Sequence, residues 1–544
     1  MLIKIKVMIM EDLKDFLVGI DFGACNLKAA AFVDGKNFRP IQLNTQEGGT
    51  KHAPNIIYYR KNKKDGTINK IIGQAAFVSS LTDIGTEKNF VANIKRKMEI
   101  ADWSQRIANL ERDVTAFEVI RDIFECIQRF FRNKKSQSVR AVLTVPVCFS
   151  EVQCNMIRRA AEESGLIVDT LISEPFAAIF SLKDLRSYKD KLIMIFDFGG
   201  STLDVSIAKI ECSSDDELKI VELAAAGIRL GGLDIDRDIY EKILLRDFKT
   251  LFDNSSVKDA INREDFYLNF ARALKELLFK TGEDAEAQEL SEGTIKGLED
   301  VILKCKDVDK LFSESDYKKK IFDMFDAIFE DLEDNPSYSY QKEDIARIFP
   351  IGGTCKIPFF IDILEEYFGA ETFNKEDFNF DDNEFLMKGL NDRYLAVASG
   401  AAHYLNRKQA GSPIKSSNVI PYCIGYGKDG NFLRCLNRNM PLGYETPSKL
   451  LPLTFLEKNS WTIPFYQCFS NQTVSKLDSE EGAAVYMGKI KLDESLYEKK
   501  ESPLFKIRIM RDGRLRLEFF DHKTFPDGSK ELVTTEEHFL EIGG

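Results

Sequence analysis

Two short acidic turns constrain this chain more than any other feature. The apolar run Phe16-Leu17-Val18-Gly19-Ile20 ends on Asp21-Phe22-Gly23, and the run Leu192 to Phe196 ends on Asp197-Phe198-Gly199-Gly200-Ser201-Thr202. Each turn leads into a second apolar run, Ala29 to Val33 and Val205 to Ile210. Apolar runs of this length bounded by turn residues predict buried strands. The same strand–turn–strand device recurs 176 positions later (197 − 21), which predicts an internal duplication. An acid that ends a buried strand is costly unless a positive partner stands beside it. Glycines in the turn let backbone N–H groups approach phosphate oxygens, and Thr202 adds a hydroxyl donor. A carboxylate next to phosphate makes electrostatic sense when a hydrated Mg²⁺ lies between them. Two such loops facing each other would clamp one Mg-nucleotide, so ATP or ADP with Mg²⁺ is the expected ligand.

The rest of the chain divides by texture. At 544 residues it is too long for one ordinary domain. Helical spacing from Phe117 to Phe131 leads into a strand from Ala141 to Val145, stopped by Pro146, and a helix over Glu151 to Ser164 is closed by Gly165. From about Asp236 to Leu332 the pattern is helical and charged. Strand Ile345 to Ile351 runs into Gly352-Gly353, and Tyr394 to Leu405 reads as a helix of small residues. Residues 1–405 form one expected unit. The polar stretch 406–418, with Gly411 and Pro413, reads as a linker. Residues 419–544 carry short alternating segments that predict an all-β domain, with a hairpin over Phe505 to Ile509, a turn at Arg511-Asp512-Gly513-Arg514, and Leu515 to Phe519.

Composition excludes several classes. Net charge is −12 with both signs interspersed, which argues against a dedicated nucleic-acid surface. The ten Cys lack a CxxC pair and only four His exist, so neither a zinc site nor a disulfide framework is expected. The first ten residues do not read as a signal peptide, and no apolar run approaches the ~18 residues needed to span a bilayer. A cytoplasmic monomer away from membranes is the expectation.

The motif set resembles the actin-like nucleotide-binding fold, a duplicated ribonuclease-H-like α/β domain, and within it the seventy-kilodalton heat-shock chaperone family. The residues that carry the resemblance are Gly19 to Gly23, Leu143-Thr144-Val145-Pro146, Ile172 to Ala178, Phe196 to Val205, Leu230 to Asp234, Ile351 to Pro358 and Ala396 to Ala402. The resemblance implies that Asp21 and Asp197 hold the hydrated Mg²⁺. It implies that Lys95 positions the attacking water, although a helix lysine by itself is ordinarily solvent-facing. Glu174 and Asp204 match the acidic pair that orients water, metal or a monovalent cation such as K⁺, and Thr202 would donate toward the γ-phosphate. Gly23, Ala24, Cys25, Asn26, Gly199, Gly200, Ser201, Gly231 and Gly232 would line the phosphates. Gly352, Gly353, Thr354 and Lys356 would hold the ribose and adenine side, with Lys356 in place of the usual Arg, and Lys275 is a candidate adenine contact. The tail resembles the family's substrate-binding β-sandwich, with Asn418 to Gly425 matching its opening, Asn437-Arg438-Asn439 with Pro441 its next strand, and Tyr486 to Ile490 a later strand. The implied partners are unfolded or extended peptide segments, a J-domain co-chaperone and a nucleotide exchange factor.

The departures from the family concern coupling more than binding. The two threonines usual after the first Asp-x-Gly are Ala24 and Cys25, so a γ-phosphate-sensing hydroxyl is missing. Ser201 replaces a third glycine, which requires an ordinary backbone dihedral there. Cys154 stands where the family usually has an arginine near the Pro146 position, Asp169 and Thr170 stand where basic residues are expected at the surface used by J-domain co-chaperones, and residues 408–418 lack an acidic-leucine linker. No helical lid is expected after the β domain. The resulting expectation is a slow ATPase of the chaperone type. The alternative is a nucleotide-gated scaffold with little or no hydrolysis, and an actin-fold metabolite kinase is the weaker third reading.

Overall fold

The computed structural model describes residues 16–33, 37–41, 43, 53–81, 88–98, 100, 102–132, 138–212, 218–255, 263–290, 296–333, 335, 338–379, 386–387, 393–411, 415–417, 419–428, 430–441, 451–452, 462–468, 484–493, 504–509, 515–524 and 530–540. In the first lobe, β1 (Phe16–Phe22) is central. It pairs antiparallel with β2 (Asn26–Val33), which pairs antiparallel with β3 (Asn37–Ile41). On its other side β1 runs parallel to β4 (Val139–Val145), and β4 parallel to β5 (Ile167–Ser173).

The second lobe repeats this plan. Here β6 (Leu192–Phe198) takes the place of β1, with β7 (Leu203–Cys212) and β8 (Leu218–Ile228) as the antiparallel returns and β9 (Ile345–Ile351) as the parallel neighbour. Both central strands are buried on both faces, which is why they read as continuous apolar runs rather than alternating ones.

Helices pack between and outside the sheets. Helix α1 (Ile94–Lys97) starts from Asn93, whose φ of 52° puts it in the left-handed region that Asn tolerates better than most residues. Helix α2 (Ala116–Arg132) covers the first sheet. Helix α3 (Glu151–Glu163) begins at Ser150, whose hydroxyl accepts from the Gln153 N–H while the Ser150 N–H donates to the Gln153 side-chain oxygen. Helix α4 (Glu174–Ile179) has Pro175 in its first turn, where the missing N–H costs nothing. In the second lobe lie α5 (Gly232–Ile239), α6 (Arg263–Thr281), α7 (Tyr317–Glu333) and α8 (Pro358–Phe368). Helix α9 (Ala396–Gln409) returns to the first lobe. Its small residues let it lie against β1 and α4: a Cβ on Gly19 would come within 2.2 Å of the Ala398 carbonyl oxygen, and one on Gly400 within 1.9 Å of the Ala177 oxygen. Helices α4 and α9 build the shared core in which residues of both sheets meet, including Leu17, Val142, Ile193, Ile195, Phe349 and Leu405.

Three local readings change. The helical stretch from Asp236 to Leu332 also contains two paired two-residue strands, Ala285–Glu286 and Ile302–Leu303, too short to leave a periodic signal. Within 406–418, helix α9 continues to Gln409 because nothing before Gly411 breaks it, and β10 (Lys415–Ser417) joins the open edge of β8 in parallel. Asn437-Arg438-Asn439 form a turn rather than a strand, with Asn439 at φ 61°.

Beyond residue 419 two four-stranded antiparallel sheets lie over one apolar core. The first holds β11 (Cys423–Lys428), β12 (Asn431–Leu436), β14 (Thr462–Cys468) and β15 (Val485–Lys491). The second holds β13 (Leu451–Pro452), β16 (Leu504–Ile509), β17 (Leu515–Thr524) and β18 (Lys530–Leu540). Ile424, Phe465 and Met487 from one sheet share the core with Phe505, Ile507, Leu517 and Phe519 from the other. Strands β16 and β17 pair antiparallel as the hairpin reading expects, while its turn at 511–514 lies outside the described residues, as does Asp34-Gly35, where the sequence predicts a hairpin turn after Ala29 to Val33.

Candidate nucleotide-binding cleft

The duplication brings the two acidic turns to facing strand ends. Asp21 and Asp197 each end a central strand and are 3% and 6% exposed. Asp204 stands directly across from Asp197 on β7, and its carboxylate accepts the Val147 N–H at 2.7 Å. Glu174, at the start of α4, and Lys95, in α1, form a buried ion pair between segments 79 residues apart. The structure therefore brings Asp21, Lys95, Glu174, Asp197 and Asp204 into one electrostatic group, although only Asp197 and Asp204 are close in sequence.

Burial and mutual repulsion dominate this group. Burial, then the neighbouring Glu174 and Asp204 charges, push the Asp197 carboxyl well above the usual carboxylate range. Asp204 is pushed up to about 7 by burial and by Glu174, against a pull downward from Thr202 and the Val147 N–H. Glu174 is raised by burial despite its Lys95 partner. A site in which carboxylates resist ionisation is short of positive charge. Its donors are all carboxylate oxygens, the ligand type that Mg²⁺ takes, so the residues fit a cation arriving with phosphates.

The loops are shaped by close backbone approach. The first turn is held from behind by buried Asn55, whose side-chain amide donates to the Gly23 carbonyl at 2.6 Å and whose N–H donates to the Cys25 carbonyl at 2.8 Å. A Cβ on Gly23 would meet the Asn26 oxygen at 2.4 Å. A Cβ on Gly200 would meet Cys25 Sγ at 2.3 Å, so the two loops touch. Gly199 N–H donates to the Thr202 carbonyl, and Gly232 N–H and Leu233 N–H donate to the carbonyls of Gly199 and Gly200. A Cβ on Gly231 would run into the Ser201 nitrogen at 2.4 Å. Ser201 is not among the described non-glycine residues with positive φ, which satisfies the condition its substitution imposed.

The third motif closes the far side. Gly352 has φ 84° and ψ 151°, and the Thr354 hydroxyl donates to the Gly199 carbonyl at 2.8 Å. Lys275 reaches from α6 to the Asp236 carboxylate at 2.6 Å and the Gly232 carbonyl at 3.2 Å. Gly232 thus lies beside Thr354, Lys275 and Gly200. Lys356 is exposed, with its ammonium 5.2 Å from the centre of the Tyr394 ring. The Ala24 methyl is buried, and Cys25 and Asn26 are half-buried.

Three residues of this region were not legible as site residues. Lys28, on β2, places its ammonium 2.7 Å from Asp21 Oδ2; burial opposes its charge, but Asp21 outweighs it and raises the lysine well above its ordinary range. Arg96, next to Lys95, spans the two lobes to the Ser201 carbonyl and the Asp234 carboxylate. Asn55 belongs to no local motif. The seven-residue spacing common to Asp21–Lys28 and Asp197–Asp204 is the signal that would have found Lys28.

The β domain contacts both lobes. Tyr422 OH donates to Glu151 at 2.7 Å, and the Glu151 N–H donates to Gln467 at 3.2 Å. Arg438 pairs with Asp331 of α7, and Asn439 accepts the Ala225 N–H at 2.9 Å. Buried Glu222, pushed up to about 7 by burial, accepts from Ser206 at 2.7 Å and from the Val419 N–H at 3.3 Å. Asp169 holds Lys408 of α9 at 2.7 Å. All ten Cys are free, and no described helix is long and apolar enough to cross a membrane.

Comparison with known proteins agrees with this architecture. The sequence profile of the Hsp70 protein family matches residues 17–384, more than half of the chain. The chaperone protein DnaK of Mycoplasmopsis agalactiae is 30% identical over 248 residues, covering 45% of this chain and 38% of its own. DnaK of Mesomycoplasma hyopneumoniae strain J is 24% identical over 366 residues, covering 67% of this chain and 55% of its own. DnaK of Mycoplasmoides gallisepticum is 28% identical over 240 residues, covering 43% and 37%. The chain thus spans between about a third and about half of the length of these relatives. The matched stretch contains both acidic turns, the Lys95–Glu174 pair and the Gly352 turn, and on that ground the chain belongs to the Hsp70 family.

Proposed function

We propose that this chain is an ATP-binding, slowly ATP-hydrolysing chaperone whose β domain takes unfolded or extended peptide segments by strand addition. The observation that carries the reading is the buried Lys95–Glu174 pair standing beside Asp21, Asp197 and Asp204. In this reading the N–H groups of Gly23 to Asn26 and of Gly200 to Thr202 take the phosphates, with the Gly199 N–H holding the loop closed on the Thr202 carbonyl, and Gly352 to Lys356 with Lys275 take the nucleoside. Bound Mg²⁺ would neutralise the charge that develops between the β- and γ-phosphates. Asp21 and Asp197 would hold that Mg²⁺ in its hydrated form. Lys95 steers the attacking water and offsets charge at the γ-phosphate, while Glu174 and Asp204 orient that water and accept its proton.

The test is single-turnover hydrolysis by Lys95→Ala with nucleotide binding measured in parallel. Removing one preorganised electrostatic group should slow hydrolysis by roughly 10²–10³-fold with binding retained. Equal rates for the two proteins would sink the mechanism.

The nucleotide-gated scaffold is favoured by one observation, the buried Ala24 methyl, which donates no hydrogen bond where a sensing hydroxyl is expected. It predicts negligible turnover by the wild-type chain, with or without a J-domain protein.

A further inference from the structure

The internal repeat makes Lys28 a position of consequence. Across β1 and β2, Asp21 faces Lys28; across β6 and β7, Asp197 faces Asp204. Each partner lies seven positions after its acid (28 − 21 and 204 − 197). The same structural position therefore carries an ammonium in one lobe and a carboxylate in the other. Lys28 Nζ lies 2.7 Å from Asp21 Oδ2, and 16% of the side chain is exposed. Asp197 and Glu174 are its next charged neighbours. The other ammonium of the group, Lys95, is engaged by Glu174. Four carboxylates (Asp21, Glu174, Asp197 and Asp204) stand against these two lysines.

A buried carboxylate group short of positive charge draws cations from solution. An ammonium already fixed among the carboxylates supplies one positive charge without the ordering cost of capturing a free ion. A lysine head is a compact point charge, comparable in character to an alkali ion.

We propose that Lys28 is a tethered monovalent cation of the nucleotide cleft, so that nucleotide binding by this chain requires no free alkali ion. This rests on the nucleotide reading above.

The test is calorimetric titration of ADP into the full chain with MgCl₂ present, in KCl, NaCl or N-methylglucamine chloride at one ionic strength, so that screening is constant. The wild-type Kd should agree within about threefold across the three salts. Lys28→Met, which keeps the length and removes the charge, should bind about tenfold more weakly in N-methylglucamine chloride and recover in KCl. Lys28→Arg should stay indifferent to the salt. Wild-type binding about tenfold tighter in KCl than in N-methylglucamine chloride overturns the proposal, and so does a folded Lys28→Met chain that matches wild type in every salt. If Lys28→Met does not fold, the wild-type and Lys28→Arg salt series decide. Absence of ADP binding by wild type in all three salts refutes the nucleotide reading itself and the proposal with it, a result distinct from salt-dependent binding.

Discussion

Replacing Gly352 by Ala tests whether the third motif is built around the second acidic turn. Gly352 sits at φ 84° and ψ 151°, a region that side-chain-bearing residues almost never occupy, and forcing Ala there costs about 1–3 kcal/mol. The added Cβ would stand 2.3 Å from the Phe198 carbonyl oxygen and 2.8 Å from Asp197 Oδ1. The first neighbour is backbone in a central strand, so the contact cannot be relieved by a side-chain rotation, and overpacking adds about 1–3 kcal/mol. The sum is about 2–6 kcal/mol, or roughly 4–12 °C in melting temperature at about 2 °C per kcal/mol for a large domain. Relief requires Asp197 or the strand end to move, so ADP affinity should fall together with stability. Gly66→Ala is the control: Gly66 has φ 71° with nothing within 4 Å of an added Cβ, so it should cost only about 1 kcal/mol and leave the ADP affinity unchanged. Differential scanning calorimetry and ADP titration read both effects. A Gly352→Ala chain that melts like the Gly66→Ala control, or that loses stability while keeping wild-type affinity, would refute the placement of Gly352 against Asp197.

Three further outcomes follow from the same geometry. Glu222 has a folded pKa of about 7 against an ordinary 4.5, so the folded state holds the proton more tightly; its contribution is favourable below about pH 4.5 and is lost as pH rises through 7. Glu222→Gln should therefore melt higher than wild type at pH 8, with a gap that closes toward pH 5, and a pH-independent gap would contradict the assignment. Asn439→Ala removes the acceptor of the buried Ala225 N–H and leaves a left-handed residue without its side-chain bonds, a cost of about 1–3 kcal/mol at the β-domain contact. Faster proteolysis within 407–418 is the expected readout, and unchanged cleavage would show that the contact does not hold the β domain. Gly400→Ala should destabilise by about 1–3 kcal/mol although Ala is the better helix former, because its Cβ would lie 1.9 Å from the Ala177 oxygen; a raised melting temperature would mean that α4 and α9 are farther apart than described.

What the sequence determined by itself was the repeated strand–turn–strand device, because buried central strands and their turns are written in local apolar runs and glycine-rich punctuation. Asp21, Asp197, Gly352 and the β16–β17 hairpin were legible for that reason. Boundaries held within a few residues wherever a proline or a cap ended an element, as at Pro146 and Ser150. The two-residue strands at Ala285 and Ile302, and the addition of β10 to β8, were not legible, because pairing partners lie far apart in the chain and leave no period of their own. Only the tertiary structure decided which charges meet. Lys95 is an ordinary helix lysine until the fold buries it against Glu174, 79 residues away, and Arg96 becomes a bridge between lobes only when Asp234 is brought to it. Lys28 stands seven residues from Asp21, yet its meaning appears only when the second lobe aligns Asp204 at the same register and brings Asp197 and Glu174 near its ammonium. The physical reason is that an apolar pattern acts through neighbouring residues on one element, whereas an electrostatic site depends on distances and burial that the folded chain alone establishes.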